Sequence, residues 1–104
     1  MRFAIYQAPV EEKFVFMNYD FAQAAVEDFS DNWENHYEKV YESDYEDEED
    51  ISGEVYHPEV LEALFEIFNL NHPDDYEARS LSVSDIVVLE GKVYYCDSFG
   101  WKEM

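Results

Sequence analysis

The sequence predicts an α+β fold, an antiparallel β-sheet of about five strands with two α-helices packed on one face. Two observations carry that prediction. Near the C-terminus, the apolar runs 86–89 and 93–96 flank Glu90 and Gly91. Glycine takes positive φ without strain, so this pair reads as the two-residue turn of a tight hairpin. Its register then sets Leu89 opposite Lys92, Val88 opposite Val93, Val87 opposite Tyr94 and Ile86 opposite Tyr95. Both faces of the first strand are apolar, which suits a central, covered strand. The second observation is the spacing of Leu61, Leu64, Phe65 and Phe68. They form one apolar stripe of a helix, with Glu59, Glu62 and Glu66 on its other side.

Residues 2–7 alternate weakly and read as a strand that ends before Pro9, and residues 13–17 read as a second strand after a turn. Phe21, Ala25 and Phe29 fall four apart, so residues 19–29 read as a helix, with Asp20 as its cap. Trp33, Tyr37, Tyr41 and Tyr45 are also four apart. That spacing suits a helical stripe and, four being even, one face of a strand, so periodicity leaves residues 32–45 open. Residues 44–54 form an acidic tract whose like charges oppose compact structure, and a solvated loop is expected. His57 and Pro58 open the next helix, because proline suits a first turn. Pro73 ends it by forcing His72 away from helical angles. Phe99, Gly100 and Trp101 turn the chain into a short last strand.

Composition bounds the function. One domain of 104 residues with 18% aromatic side chains is an ordered globule despite a net charge of −20. That charge disfavours direct contact with nucleic acid or anionic membranes and favours basic protein partners. The single cysteine, Cys96, excludes an internal disulfide framework and fits a reducing compartment. No basic-then-apolar leader opens the chain and no run reaches membrane-spanning length, so a cytoplasmic location is expected. Oligomeric state is left open.

Catalysis and cofactors find no support in the residues. Cys96 lies within an apolar strand, where a thiol is inert. Ser98 lacks the glycine-flanked turn of a hydrolase nucleophile. Three glycines are too few for a phosphate-binding loop. His36, His57, His72 and Cys96 lack zinc-site spacing, and Glu49 stands where a calcium loop needs glycine. Neither metal nor cofactor is expected.

Two constellations are candidates for binding. The first is an acidic surface of Glu42, Asp44, Glu46, Asp47, Glu48, Glu49, Asp50 and Glu54. It reads either as a solubilising loop or as a mimic of nucleic acid. Duplex DNA carries one charge per ~1.7 Å of axis, and carboxylates on an extended chain rise ~3.3 Å per residue. Acidic side chains over residues 27–62 would present such a field, with Trp33, Tyr37, Tyr41 and Tyr45 adding contact area. The second is a polar group of Ser82, Ser84, Asp85, Asp97 and Ser98 beside Phe99 and Trp101. Extending the hairpin register sets Asp85 opposite Cys96 and Ser84 opposite Asp97, at the end away from the turn. These side chains serve either to satisfy backbone groups at strand ends or to form a polar pocket or docking edge.

The same stretch carries a family resemblance. Residues 80–85 read Ser-Leu-Ser-Val-Ser-Asp, and after the apolar strand residues 94–100 read Tyr-Tyr-Cys-Asp-Ser-Phe-Gly. Together with residues 65–76 (Phe-Glu-Ile-Phe-Asn-Leu-Asn-His-Pro-Asp-Asp-Tyr), residues 2–7 and residues 37–41, they resemble YodL-like domains. The resemblance favours a strand over residues 37–43. It implies a setting in plasmids, integrative elements and phages, without implying an activity. The acidic tract departs from the family pattern, so any mimicry would belong to this chain. The expected function is therefore a non-enzymatic accessory protein of a mobile element that binds a basic, nucleic-acid-binding protein, with mimicry of DNA as the specific form of that binding. The alternative is a regulatory adaptor that uses its sheet edge and the Ser84–Asp97 end, with the acidic loop inert.

Overall fold

The computed structural model describes residues 1–46 and 53–104. Five strands, β1 (Arg2–Gln7), β2 (Glu38–Asp44), β3 (Ile86–Leu89), β4 (Lys92–Asp97) and β5 (Gly100–Glu103), form one antiparallel sheet in the order β2-β1-β3-β4-β5. The helices are α1 (Tyr19–Ala25), α2 (Phe29–Asn32) and α3 (His57–Leu70), with short 3-10 turns at Trp33–His36 and Glu54–Tyr56. The α+β class and the five-stranded sheet are as the sequence predicts.

The hairpin is the centre of that sheet. Its register is the expected one, from Ile86↔Tyr95 to Leu89↔Lys92. Glu90 (φ 49°) and Gly91 (φ 81°) both take positive φ, the signature of a type I′ turn whose twist matches the flanking strands. β3 lies between β4 and β1, with Phe3↔Leu89 and Tyr6↔Ile86 at the ends of the β1 pairing. Ile86, Val87 and Leu89 are fully buried, as a strand covered on both faces requires.

The helices do not share a face. Phe3, Ile5, Val87, Leu89 and Tyr94 pack with Val60, Leu61, Leu64 and Phe68 of α3. On the other face, Ile86 and Tyr95 pack with Tyr19, Ala22, Phe29 and Trp33 from α1, α2 and the turn after them. Alternation along β3 forces this split: a strand apolar on both faces needs cover on both. On α3 the buried stripe is also rotated from expectation. His57 and Val60 join it, while Phe65 stays partly exposed.

Three local expectations fail for identifiable reasons. Residues 13–17 form successive turns, not a strand, with bonds from Glu12 N to Pro9 O, Val15 N to Glu12 O and Met17 N to Phe14 O. Phe14 and Val15 are adjacent and both buried, which an alternating strand with one covered face does not allow. The helix expected over residues 19–29 stops at Ala25, because Val26 is extended and Asp28 turns left-handed (φ 52°). Its cap is Asn18, whose Oδ1 accepts from Phe21 N at 2.9 Å, in place of Asp20.

The aromatic series is divided by a β-bulge. Ile5 pairs with Tyr41 but Tyr6 with Lys39, so Val40 is the extra residue. The bulge reverses the side-chain alternation. Tyr41 and Tyr45 therefore pack toward α3, while Tyr37 and Trp33 pack on the opposite face. Tyr37 stacks on Phe14 at 5.6 Å.

Val87 decides whether this core is read correctly. Val87→Asp buries a charge with no partner, at a cost of several kcal/mol against a typical domain stability of about 5–15 kcal/mol. Loss of the cooperative thermal transition is the expected result in circular dichroism.

Candidate functional site

The polar residues at the open end of the hairpin divide into an internal network and an exposed rim. The network centres on Asp85, which has no solvent exposure. Its Oδ2 accepts from Ser82 N at 2.8 Å and from Gln7 Nε2 at 3.1 Å, and its Oδ1 from Arg79 Nη2 at 3.3 Å. Arg79 Nη2 also donates to Ala8 O at 2.9 Å, and the guanidinium lies 5.6 Å from the Phe16 ring centre. The Arg79 carbonyl accepts from Tyr76 OH at 2.6 Å and Gln7 Nε2 at 2.9 Å. Among the described residues, Arg79 Nε is the buried side-chain nitrogen left without a partner. Burial pushes the Asp85 carboxyl up to about 6, and the Ser82 amide and Arg79 oppose that rise.

Ser84 does not face Asp97. Its N–H donates to Cys96 O at 2.9 Å, while Cys96 N donates to Asp85 O at 2.8 Å. Ser84 and Asp85 thus both oppose Cys96, in a bulge whose first residue takes positive φ (85°), a position usually held by glycine. The bond from Asp85 N to Ser82 O closes the turn that delivers the chain into it. Serine tolerates the conformation here because its side chain is used. Ser84 Oγ accepts from Phe16 N at 2.9 Å, and Ser84 O accepts from Tyr37 OH at 2.5 Å. Burial raises the Tyr37 hydroxyl far above its usual range, which keeps it a donor.

The remaining residues lie outside the network. Asp97 Oδ1 accepts from Tyr19 N at 3.1 Å, at the start of α1, and from Ser98 N at 2.8 Å. Asp97, Ser98 and Trp101 line a cleft of about 220 Å³ with Glu62, Phe65 and Val83. Phe99 is 99% exposed at the tip of the β4–β5 turn. Cys96 is buried, and that burial pushes its thiol up to about 12, as an inert core cysteine requires.

Of the acidic residues, Glu42 and Asp44 stand on β2 and Glu46 just beyond it, all exposed. Asp47, Glu48, Glu49 and Asp50 lie outside the described residues, and Glu54 falls in the 3-10 turn before α3. Arg2 bridges Glu42 (3.5 Å) and Asp44 (3.3 Å), and Lys39 reaches Glu42 at 3.3 Å. Lys39, and Arg2 after it, hold the Glu42 carboxyl below its usual range.

Sequence reasoning misses a second cluster, in which buried His57 and Tyr94 meet Glu90 at the surface. His57 Nε2 lies 2.9 Å from Glu90 Oε1 and His57 Nδ1 lies 2.6 Å from Tyr94 OH. The Glu90 carboxyl is held below its usual range by that histidine and by the Gly53 amide, so it only accepts. Nε2 therefore carries the proton, and in the neutral ring Nδ1 accepts from Tyr94. The cluster ties the start of α3 to the hairpin turn. Its one legible sign is a histidine beginning an amphipathic helix on its apolar side.

A model of the YodL-like domain matches residues 2–104. The chain belongs to the YodL-like domain family. No curated protein and no solved structure matches it. The family match covers the whole sheet and both clusters, so Gln7 belongs to one YodL-like domain with Arg79 and Asp85 though it is far from both in sequence. No helix among the described residues is long and apolar enough to cross a membrane. Among the same residues no group of three or more His, Cys, Asp and Glu is placed to hold a metal.

Two measurements test the network. A carboxyl whose folded pKa lies near 6 rather than 3.8 binds more protons folded than unfolded across that window. Its contribution is fully present below pH 3.8 and is lost as pH rises through 6. Wild type is therefore expected to lose stability relative to Asp85→Asn between pH 4 and pH 6. At about 1.4 kcal/mol per unit the change is of order 3 kcal/mol, read from urea denaturation at each pH. At Ser84, only glycine relieves a left-handed strain of about 1 kcal/mol. Ser84→Ala and Ser84→Gly both lose Oγ, so the alanine variant is expected to be the less stable by about that amount.

Proposed function

We propose that this YodL-like domain is a non-enzymatic accessory protein of a mobile element that binds a basic protein partner through its acidic surface. The partner is a nucleic-acid-binding protein whose basic groove the carboxylates occupy in place of phosphates. The observation that carries this reading is the unbroken exposure of acidic side chains from just before α2 to just beyond β2. Glu27, Asp28, Asp31, Glu34, Glu38, Glu42, Asp44 and Glu46 are all exposed over twenty residues of ordered chain. Among the described residues, Arg2 and Lys39 are the basic side chains bonded to this series. Trp33 is buried and Tyr37 packs in the core, so Tyr41 and Tyr45 are left as the half-exposed aromatics of the surface.

A second reading is an adaptor that uses the Ser84–Asp97 end and the sheet edge. Phe16, 55% exposed over the Ser84 bulge, and the fully exposed Phe99 favour it. Ser84 and Asp85 would then shape that surface from within, and Asp97, Ser98 and Trp101 would make the contact.

The two readings separate under charge neutralisation. A variant carrying Asp31→Asn, Glu34→Gln, Glu38→Gln and Glu46→Gln is expected to keep its melting temperature and lose at least tenfold in affinity for the captured partner. Binding is expected to fall steeply with salt, since it arises from many screened charge pairs, and duplex DNA should compete with it. A complex that tolerates high salt and retains DNA, and that is lost on Phe16→Ser with Phe99→Ser instead, would favour the adaptor.

A further inference from the structure

The outer edge of β2 combines backbone groups that no strand among the described residues pairs, an adjoining apolar groove and an acidic rim. Tyr45 N donates to Met1 O at 2.8 Å and the Met1 amino group donates back to Tyr45 O at 2.9 Å. Tyr45 is thus in a hydrogen-bonded pair, and alternation along an antiparallel ladder turns the peptide groups of Ser43 and Tyr41 toward β1 as well. Those of Glu42 and Asp44 point away, to an edge that no other strand among the described residues occupies. Beside that edge, a groove of about 240 Å³ runs between β2 and α3. Tyr41, Ser43 and Tyr45 form one wall, Ile67 and Pro73 the other, and Phe68 lies buried beneath them. Asp44 and Glu46 also line the groove, and Asp74 and Asp75 follow Pro73, both exposed.

We propose that β2 accepts an added antiparallel strand, an extended segment of a partner protein in which basic residues alternate with apolar ones. Strand addition supplies main-chain bonds at the edge and side-chain selection through alternate positions. Here the alternation is dictated by the two sides of β2. A residue opposite Ser43 projects its side chain over the groove toward Tyr41, Tyr45 and Ile67, which calls for an apolar group. Residues opposite Glu42 and Asp44 exchange main-chain bonds with them and project to the carboxylate side, which calls for lysine or arginine. Among the described residues, four carboxylates (Glu38, Glu42, Asp44 and Glu46) stand along this edge against two cationic side chains (Arg2 and Lys39). The same surplus opposes pairing with a second copy, whose edge is equally acidic. The inference rests on the reading that the chain binds a basic protein, and it does not need mimicry of DNA.

The probe is a fluorescently labelled octapeptide, capped at both ends, in which lysine alternates with valine. Fluorescence anisotropy in 0.15 M salt compares it with a lysine–serine peptide of equal charge and with two backbone N-methylated forms. The lysine–valine peptide is expected to bind at least tenfold more tightly than the lysine–serine one. N-methylation at the lysines removes the donors that face Glu42 and Asp44 and is expected to cost at least tenfold, while N-methylation at the valines is tolerated. Hydrogen exchange should show new protection at the Glu42 and Asp44 amides and no change at Ser43. Because these controls alter the peptide, a misfolded variant cannot imitate them. Equal binding of the serine peptide and of both methylated forms would overturn strand addition while leaving attraction to the acidic surface intact. No binding, or binding without protection at Glu42 and Asp44, would overturn it too. A dimer in the absence of peptide, with those two amides already protected, would assign the edge to a second copy.

Discussion

The interaction on which the rest of the structure depends is the buried carboxylate of Asp85. It stands one residue before β3 and ties the distant end of β1, through Gln7, to two nearby segments: the connection after α3 through Arg79 and the turn into β3 through the Ser82 amide. Removing one partner of a buried charge typically costs about 3–5 kcal/mol, because the other is left uncompensated. The geometry of that end therefore has little freedom. A bulge is needed for Asp85 to point inward while Ser84 holds the Phe16 amide, and serine takes the left-handed conformation this demands.

Around that anchor the chain solves a problem of composition. A surplus of twenty negative charges on 104 residues repels itself, and the compact state must offset that. It does so with aromatic side chains. One cluster packs Phe3, Tyr41, Phe68 and Tyr76 together. On the other face, Phe14, Tyr19, Phe29, Tyr37 and Tyr95 form an edge-to-face and stacked array. Large rings bury much apolar area per residue, so few positions need be spent on the core. The rest of the surface is free to carry carboxylates. The fold and the acidity are thus compatible because the sheet is covered on both faces.

That arrangement leaves β2 as the place where the two properties meet. It is an edge strand whose α3 side is aromatic and whose other side is acidic. Charged side chains are a common defence of an open edge against self-association. On the proposed reading the same charges would select a partner of opposite sign, so protection and recognition would draw on one set of residues. The network around Asp85, by contrast, is turned inward, and its polar side chains bond within the fold.

By itself the sequence determined what is local or periodic. The Glu90-Gly91 turn dictates the hairpin register, because turn chemistry acts between neighbours. The α3 helix, the position of β1 and the burial of Cys96 were legible for the same reason, as was membership suggested by residues 80–85 and 94–100. What only the tertiary structure decided depends on contacts between distant segments. The extra residue at Val40 sends Tyr37 and Tyr41 to opposite faces, and even spacing cannot reveal a bulge. Gln7, Arg79 and Asp85 carry no shared pattern, since the network exists only once β1 lies against β3. His57 and Glu90 are likewise thirty-three residues apart until α3 crosses the sheet. Even the pairing of Ser84 was misread by extending a local register, because the buried charge beside it required the chain to bulge.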